Sequence, residues 1–284
     1  MSQVNAKENF VTRRAFGIYC RPDCPKADQA LEKARHFLKA HHIDIITLED
    51  ILNGQPAEAV LTFGGDGSLL HAARLVAQEN IPVLGVNFGR IGYLCTVNSE
   101  HLENTLERLV NKDYHLEQHT MLSCQVYENN QLIWSSQALN EVLVGGCNRT
   151  VCLEVIIDGV KFATVRGDGL ILATKTGSTA YSFSAGGPVL LVDNALCLVA
   201  SNAVFSSSIR SLVLSTETTV IIKNLTNPAK PYVVADGQKD CTINKDAIVE
   251  LKKSDLKSSF IIFGNTSPIQ DLHRGFQELM MRSF

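Results

Sequence analysis

The stretch LTFGGDGSLL, residues 61–70, joins two different local patterns. An apolar run ends in a glycine turn and is followed by an apolar stretch with helical spacing, which predicts a strand, a loop and a helix in that order. Glycine loops in this position usually bind phosphate, because bare backbone N–H groups and the start of a helix favour anions. A carboxylate at the centre of the loop would repel phosphate. Asp66 therefore either caps the helix or has a function that only a carboxylate can perform.

The segments around this glycine loop alternate between strand-like and helix-like patterns. Strand-like runs occupy residues 15–20, 43–48, 58–63 and 81–86, and helix-like runs occupy residues 25–42, 68–78 and 101–112. Helical spacing over residues 25–42 is shown by an apolar face formed by Ala27, Ala30, Leu31, Ala34 and Leu38. Strands that alternate with helices predict an α/β domain with a parallel sheet and right-handed crossovers.

The pattern changes after about residue 114, where short strand-like runs follow one another. The dipeptides Asn129-Asn130 and Asp158-Gly159 separate pairs of such runs and predict hairpin turns. Further strand-like runs occupy residues 170–174, 196–201, 211–215, 218–223, 232–235, 247–251 and 259–263. We therefore predict an α/β domain over residues 1–113, a mainly antiparallel all-β domain over 114–265, and a helical tail over 266–284 that packs back on the N-terminal domain.

Composition excludes several classes of protein. The chain has 284 residues, of which 45% are hydrophobic and 19% charged, as in a globular protein with a real core. A formal net charge of −3 gives no electrostatic reason to expect nucleic acid or an anionic membrane. No stretch approaches the roughly 20 apolar residues that a membrane helix needs. The eight cysteines form no CxxC pair, so we expect reduced thiols in the cytoplasm and no cysteine-based metal site.

Three shorter stretches carry polar or glycine-rich residues between strand-like runs. GVNFGRIGYL, residues 85–94, presents Arg90 to an anion or forms a structural glycine turn. Asn140 and Glu141 stand side by side in a strand-like segment, where an ordinary alternating strand exposes one of them and a strand that borders a cleft uses both. VVADGQ, residues 233–238, fits a hairpin turn.

The most informative stretch is RGDGLILATKTGSTAYSFSAGGPVL, residues 166–190. It packs small and hydroxylated residues around one tyrosine, which suits close backbone contact with a polar ligand. Thr179, Ser182 and Ser184 offer hydrogen bonds to such a ligand. An ordinary Ser/Gly-rich loop is the alternative, and the apolar strands that frame the stretch make it the weaker one.

Together, GGDGSLL, GVNFGRIGYL, LNEV, DGLILATKTGSTAYSFSAGGP and ADGQ resemble, in this order, the bacterial NAD kinase family. The resemblance runs from about residue 14 to the C-terminal helix. GGDG is shared with diacylglycerol-type lipid kinases and 6-phosphofructokinases, whereas TGSTAYSFSAGGP is highly specific. The resemblance implies a catalytic site in the cleft between an N-terminal α/β domain and a C-terminal β domain. It also implies ATP as phosphoryl donor, a divalent metal such as Mg²⁺, NAD as acceptor, and a homotetramer.

The resemblance further implies roles for individual residues. Asp66 matches the family's proton acceptor, with Gly67 beside it, and Asn140 and Glu141 match its dinucleotide-binding pair. Arg149 falls where the family often has a basic or histidine side chain, although no motif anchors that match. The other matched binding positions are Arg166, Asp168, Thr179, Ala180, Tyr181, Ser182, Phe183, Ser184 and Gln238. No residue is assigned as a metal ligand.

Two positions depart from the family pattern. The family commonly reads TPTGSTAY, whereas Lys175 replaces the proline here, which removes a rigid φ and adds a cation. Phe88 stands where a polar or basic residue often lies, so phosphate contacts there would rest more on Arg90.

The sequence therefore predicts an NAD kinase in which Asp66 is the general base. Transfer of a phosphoryl group to a ribose hydroxyl requires loss of a proton, and a carboxylate can accept it. Two alternatives stay open. A lipid kinase of the GGDG type would not need the TGSTAYSFSAGGP loop, and a non-catalytic dinucleotide sensor would bind NAD without consuming ATP.

Overall fold

The computed structural model describes residues 14–22, 24–88, 94–95, 97–146, 149–204, 209–227, 230–264, 267, 269–270, 272–273 and 276–277. The chain forms two compact units, the first containing residues 1–72 and 83–114 and the second containing residues 73–82 and 115–284. The domain boundaries expected from the sequence stay predictions.

The first unit is built on a parallel sheet. Its strands are β1 (Ala15–Cys20), β2 (Asp44–Thr47), β3 (Ala59–Gly64), β4 (Val83–Asn87) and β5 (Val97–Asn98). They are ordered β2-β1-β3-β4-β5, and each neighbouring pair is parallel. All six residues of β3 are buried, as expected for a central strand covered on both faces. The predicted parallel α/β architecture is confirmed.

The helices of the N-terminal half are α1 (Pro25–Ala40), α2 (Leu48–Leu52), α3 (Asp66–Val76) and α4 (Leu102–Val110). On α1 the predicted apolar face is buried at Ala27, Ala30, Ala34 and Leu38. Helix α2 was not predicted, because it is too short to show a helical period. It begins with a capping box between Thr47 and Asp50. From Ala73 onward, α3 belongs to the second unit.

The second unit is mainly antiparallel. Its strands are β6 (His115–Glu128), β7 (Gln131–Ala138), β8 (Glu141–Gly145), β9 (Val151–Ile157), β10 (Val160–Gly167), β11 (Gly169–Ala173), β12 (Ala195–Ser201), β13 (Ser211–Ser215), β14 (Val220–Asn224), β15 (Tyr232–Ala235), β16 (Lys239–Thr242) and β17 (Ile248–Ile262). One set is ordered β10-β9-β14-β17-β6-β7 and the other β13-β12-β11-β8-β15-β16. A short helix, α5 (Tyr181–Ser184), follows β11.

The two sets of strands share one apolar core. Val126 and Val155 come from the first set, and Val142, Leu172 and Leu198 come from the second. All five side chains are fully buried. The core therefore lies between two antiparallel sets of strands, and the predicted antiparallel β architecture is confirmed.

Hairpin turns form where the sequence predicted them. Asn129 and Asn130 have φ of 49° and 62°, and Asp158 and Gly159 have φ of 47° and 80°. Two consecutive residues with positive φ give the turn whose twist matches a hairpin, and Asn, Asp and Gly tolerate that conformation. The Asp-Gly pair in VVADGQ adopts the same form between β15 and β16, with φ of 50° at Asp236 and 64° at Gly237.

One strand differs from the prediction. Residues 247–251 and 259–263 were expected to form two strands, but both belong to β17, which pairs with β6 along its length. The pairing register shifts between Lys253 and Lys257. A bulge of this kind lets the polar residues between Lys253 and Lys257 stay within one strand, because β6 forms the backbone hydrogen bonds on both sides of them.

In the C-terminal tail, the described residues 269–270, 272–273 and 276–277 are helical. The ring of Phe276 lies with its centroid 5.5 Å from that of Phe183, within the second unit. Packing of the tail on the N-terminal domain stays a prediction. Among the described residues, no helix is both long and apolar enough to cross a membrane.

Candidate active site

The glycine loop leads from the end of β3 into α3. A Cβ atom at Gly64 would lie 2.1 Å from Oγ and 2.7 Å from Cβ of Ser68, so only glycine fits this close approach. The carbonyl oxygen of Gly64 accepts the backbone N–H of Phe88 at 2.7 Å. A Cβ at Gly67 would meet no described atom within 4 Å. The loop is therefore tightly packed at its start and open at Gly67.

The carboxylate of Asp66 is held by the backbone that follows β4. Oδ1 accepts the N–H of Cys95 at 2.9 Å, and both carboxylate oxygens lie 3.2 Å from the N–H of Leu94. These two backbone donors fix the direction of the Asp66 carboxylate.

Only part of the neighbouring glycine stretch, residues 85–94, lies among the described residues. Arg90 lies outside the described residues, so its predicted contact with an anion stays a prediction. Phe88, the apolar residue at an unusual position, stacks on Phe63 with ring centroids 6.1 Å apart. Its side chain contributes to packing at the carboxyl end of the sheet.

In the second unit, the Asn140-Glu141 pair meets the long Ser/Gly-rich stretch. The backbone N–H of Thr174 donates to the carbonyl oxygen of Asn140 at 2.9 Å, and Thr174 Oγ1 donates to that of Leu139 at 2.6 Å. A Cβ at Gly177 would lie 2.0 Å from the carbonyl oxygen of Asn140. Glycine in the TGSTAY motif thus permits direct backbone contact between two motifs that are distant in sequence.

Asn140 and Glu141 are both more than nine-tenths buried. Among the described residues, Oδ1 of Asn140 and Oε2 of Glu141 have no hydrogen-bond partner. Burial, and secondarily the nearby Asp236 carboxylate, raise the pKa of Glu141 to about 8, while the backbone N–H of Tyr181 acts in the opposite direction. Buried polar atoms without partners are rare, and each calls for an explanation such as a functional role or a bound water, ion or ligand.

A cavity of about 450 Å³ in the second unit brings together three of the predicted site residues, Arg149, Asp168 and Tyr181. The rest of its lining was not predicted and consists of Leu143, Gly146, Thr150, Ser201 and Tyr232. The cavity offers one cation, one carboxylate, two aliphatic hydroxyls and two tyrosine side chains. This mixture suits a nucleoside, whose flat base stacks on aromatic faces and whose ribose takes hydrogen bonds.

Arg166 and Asp168 are neighbours in sequence but have different surroundings. Asp168 Oδ2 accepts a hydrogen bond from Asn202 Nδ2 at 2.7 Å, which orients the carboxylate at the cavity. Arg166 is exposed on β10 and is not among the residues that line the cavity. Its backbone oxygen accepts the N–H of Val204 at 2.8 Å.

The predicted loop residues 179–184 also differ from one another. Thr179 Oγ1 donates to the carbonyl oxygen of Thr176 at 3.2 Å, and Ser182 is fully buried. Tyr181 and Phe183 expose 46% and 42% of their surface, and Ser184 is exposed, so these three side chains are available to a ligand. Ala180 lies between the two short helical turns.

Family models match most of the chain. The model of the ATP-NAD kinase N-terminal domain matches residues 29–114, and that of the ATP-NAD kinase C-terminal domain matches residues 118–263. The chain belongs to the NAD kinase family.

Individual members of the NAD kinase family show how far the likeness extends. An NAD kinase of Methanothermobacter thermautotrophicus is 34% identical over 262 residues, covering 87% of this chain and 90% of the relative. An NAD kinase from Archaeoglobus fulgidus, solved in complex with ATP, has 27% identity and a TM-score of 0.75, with 93% of this chain and 99% of that chain covered. Yeast NADH kinase, solved with NADH, has 22% identity and a TM-score of 0.83 over 94% of this chain and 87% of that chain, which confirms the fold.

The departure at Lys175 from the NAD kinase pattern is accommodated by a local network. Lys175 Nζ lies 2.9 Å from Asp193 Oδ1. Next to it, His119 Nδ1 lies 3.1 Å from Thr176 Oγ1, and the His119 ring packs 4.2 Å from that of Phe260. Burial lowers the pKa of His119 to about 4, and Lys175 acts in the same direction, so the imidazole is neutral near pH 7. These contacts fix the loop where the family uses proline.

Three functional candidates were missed by the sequence analysis. The sequence around Asp236 predicts only a hairpin turn, whereas the structure buries its side chain fully. Arg74 is a buried cation on the apolar helix α3, a signal that was present in the sequence. His119 gave no signal, because its partner Thr176 is 57 residues away.

The described residues contain no group of three or more His, Cys, Asp or Glu side chains that could hold a metal ion. A single carboxylate such as Asp66 fits Mg²⁺ only when phosphate oxygens and water supply the remaining ligands.

Proposed function

We propose that this chain transfers the γ-phosphoryl group of ATP to the 2′-hydroxyl of the adenosine ribose of NAD, producing NADP and ADP. Membership of the NAD kinase family supports the reaction. The observation that carries the mechanism is the carboxylate of Asp66, oriented by the backbone N–H groups of Leu94 and Cys95 at the end of a glycine loop. The name of the Methanothermobacter relative and the ATP complex of the Archaeoglobus protein agree with these substrates.

Asp66 is the general base in this proposal. The ribose hydroxyl must lose its proton as its oxygen attacks the γ-phosphorus, and a carboxylate oxygen within hydrogen-bond distance accepts that proton. Phosphoryl transfer needs little covalent help from a protein, so positioning and charge neutralisation dominate. The backbone N–H groups at the start of α3 neutralise phosphate charge, and the open surface at Gly67 lets phosphate approach the backbone.

Most residues that bind the dinucleotide in this proposal belong to the second unit. Asn140 and Glu141 supply the buried polar atoms that have no partner among the described residues. Around the cavity, Tyr181 stacks on a ring of the dinucleotide while Asp168 and Arg149 bind its polar groups. The other binding positions are Asp66, Gly67, Arg166, Thr179, Ala180, Ser182, Phe183, Ser184 and Gln238.

Three further properties belong to the same proposal. Mg²⁺ enters bound to ATP, because no described cluster of acidic or histidine residues suits a resident metal. The enzyme is a homotetramer, as the family resemblance implies, and sedimentation of the purified protein tests this. It acts in the cytoplasm, which agrees with the scattered cysteines.

The deciding experiment is incubation of the purified protein with ATP, Mg²⁺ and NAD, followed by measurement of NADP. A parallel reaction with NADH measures the preference for the oxidised or reduced acceptor. Diacylglycerol in place of NAD tests the lipid-kinase alternative, and NAD binding without ADP formation would indicate a sensor. Formation of NADP at a rate that depends on both substrates supports the proposal, and failure to form it under saturating conditions overturns it.

A further inference from the structure

The carboxylate of Asp236, like that of Asp66, is held by backbone N–H groups. The side chain of Asp236 is fully buried and accepts the N–H groups of Leu139 and Asn140, each at 2.8 Å, and that of Glu141 at 3.2 Å. Three consecutive N–H donors to one carboxylate fix the backbone of residues 139–141, where β8 begins. Two of these residues, Asn140 and Glu141, carry the buried side-chain atoms that have no partner among the described residues.

Arg74 in turn fixes the turn that carries Asp236. Its Nη1 lies 3.8 Å from Asp236 Oδ2 and donates to the carbonyl oxygen of Ala235 at 3.2 Å, while its Nη2 donates to Gln238 Oε1 at 2.9 Å. The guanidinium thus contacts both sides of the turn, which its planar fork allows and a lysine would not. The side chains of Arg74 and Asp236 are 5% and 0% exposed.

A hairpin turn alone does not require this arrangement. Asp158 occupies the matching position of the other Asp-Gly turn, and its carboxylate accepts the N–H of Thr219 at 2.8 Å on an exposed surface. A buried ion pair has a large desolvation penalty and gives little net stability compared with apolar side chains. The burial of Arg74 and Asp236 therefore points to a task other than forming the turn.

The charge of Asp236 also acts on Glu141. The groups that face the Glu141 carboxyl are the Asp236 carboxylate from the turn after β15, with Arg74 of α3 behind it, and the backbone N–H of Tyr181 from α5. Burial raises the pKa of both carboxyls, but Asp236 has three N–H donors and a cation that oppose the shift. Glu141 therefore holds the proton at pH 7 and offers an O–H donor to a ligand.

We propose that Asp236, fixed by Arg74, is a positioning residue that presents Asn140 and Glu141 to the dinucleotide, an inference that rests on the proposed function. Asp236 sets the backbone position of the pair and keeps Glu141 in its hydrogen-bond-donating form. Neither Asp236 nor Arg74 needs to touch the substrate for this role. Loss of the carboxylate charge should therefore weaken dinucleotide binding while leaving the use of ATP unchanged.

The test compares Asp236→Asn with wild type and with Asp158→Asn, the matched change in the other Asp-Gly turn. Asp236→Asn should raise the KM for NAD by about 10- to 100-fold, the range expected when hydrogen bonds to a charged group are lost. The KM for ATP should stay within about twofold of wild type, because only the dinucleotide pair is displaced. Asp158→Asn should leave both values unchanged.

The pH profile separates positioning from a merely structural role. In wild type, affinity for NAD should fall as pH rises above about 8, where Glu141 loses its proton. Without the Asp236 charge the pKa of Glu141 falls, so in Asp236→Asn this decline should begin at a lower pH. If Asp236 had only a structural role, Asp236→Asn would raise the KM for NAD without changing how that KM depends on pH. An unchanged profile, or a KM for NAD within about twofold of wild type, would overturn the proposal.

If Asp236→Asn does not fold, Arg74→Lys tests the positioning role instead. It keeps the charge but loses the fork that reaches both Ala235 and Gln238, so the KM for NAD should rise at least about fivefold with the KM for ATP unchanged. An unchanged KM for NAD would contradict the proposal. Wild-type turnover is measured first and reports on the proposed function separately. If wild type forms NADP and the variants bind NAD normally, the positioning role alone is wrong.

Discussion

Oδ1 of Asp66 accepts the backbone N–H of Cys95 at 2.9 Å, although the two residues are 29 positions apart. The first residue of α3 is thereby tied to the loop that follows the neighbouring strand β4. A helix cap would require only a hydrogen bond to its own first turn. The contact with Cys95 fixes the direction of the carboxylate, which general-base catalysis requires and simple capping does not.

We expect Asp66→Asn to lower kcat by about 10²- to 10⁴-fold, because the amide keeps the size of the side chain but cannot accept the proton. The KM for NAD should change little, since the glycine loop keeps its geometry. The measurement is NADP formation across a Mg²⁺ series, with thermal stability followed alongside. Partial rescue by added Mg²⁺ would indicate that Asp66 mainly positions the metal–nucleotide complex.

The control for that experiment is Asp50→Asn at the start of α2. Asp50 accepts the N–H of its cap residue Thr47 at 2.8 Å, so Asp50→Asn should act on the stability of this helix start alone and leave kcat unchanged. A stable Asp66→Asn protein with kcat within a few-fold of wild type would show that Asp66 resembles Asp50 in being only a structural residue.

The two glycines Gly64 and Gly67 should respond differently to alanine. Gly64→Ala brings a methyl group to 2.7 Å from Cβ of Ser68, an atom fixed to the helix backbone, so we expect a loss of about 1–3 kcal/mol of folding free energy. Gly67→Ala meets no described atom and removes a glycine from a helix, so it should stabilise by about 0.5–1 kcal/mol.

The kinetics of Gly67→Ala with ATP test whether the nucleotide approaches the loop. If phosphate approaches the backbone at Gly67, the added methyl group should reduce kcat/KM for ATP by about tenfold or more despite the higher stability. Urea denaturation and steady-state kinetics on the same preparations measure both quantities. A Gly67→Ala enzyme that is more stable and fully active would indicate that the nucleotide does not approach the loop there.

His119 should make the protein sensitive to acid. Its pKa is about 4 in the folded chain against a usual value of 6.5. Between these values the unfolded chain binds a proton that the folded chain does not, so the free energy of unfolding falls as pH is lowered through this window. The whole shift corresponds to roughly 3 kcal/mol.

His119→Phe tests this, because a phenyl ring keeps the packing against Phe260 and cannot titrate. Wild type should lose roughly 3 kcal/mol of unfolding free energy relative to the variant between pH 6.5 and pH 4. His36→Phe, at an exposed position of α1, should leave the wild-type pH dependence unchanged. Parallel pH profiles for wild type and His119→Phe would contradict the assignment.

Features set by neighbouring residues were predictable from the sequence. The turns at Asn129-Asn130 and Asp158-Gly159 depend on positive φ at the dipeptide itself, and the strand–loop–helix pattern around Asp66 depends on local spacing. The roles of Asp236 and His119 were not predictable, because each is set by a partner brought close only by the fold. Leu139, which donates to Asp236, lies 97 residues away. The continuity of β17 was missed for the same reason, since it depends on pairing with the distant strand β6 on both sides of the register shift between Lys253 and Lys257.

Glu141 should destabilise the protein near neutral pH. Its pKa is about 8 in the folded chain against 4.5 normally, so between these values the folded chain holds a proton that the unfolded chain releases. The free energy of unfolding therefore falls as pH rises through this window, by roughly 3–5 kcal/mol in total. Glu141→Gln, a neutral side chain of the same shape, should match wild type at pH 4.5 and exceed its stability at pH 8 by that amount. Urea denaturation at the two pH values measures the difference, and Glu103→Gln on the exposed face of α4 should show none. If Glu141→Gln is no more stable than wild type at pH 8, Glu141 is not held in its protonated form by its buried position beside Asp236.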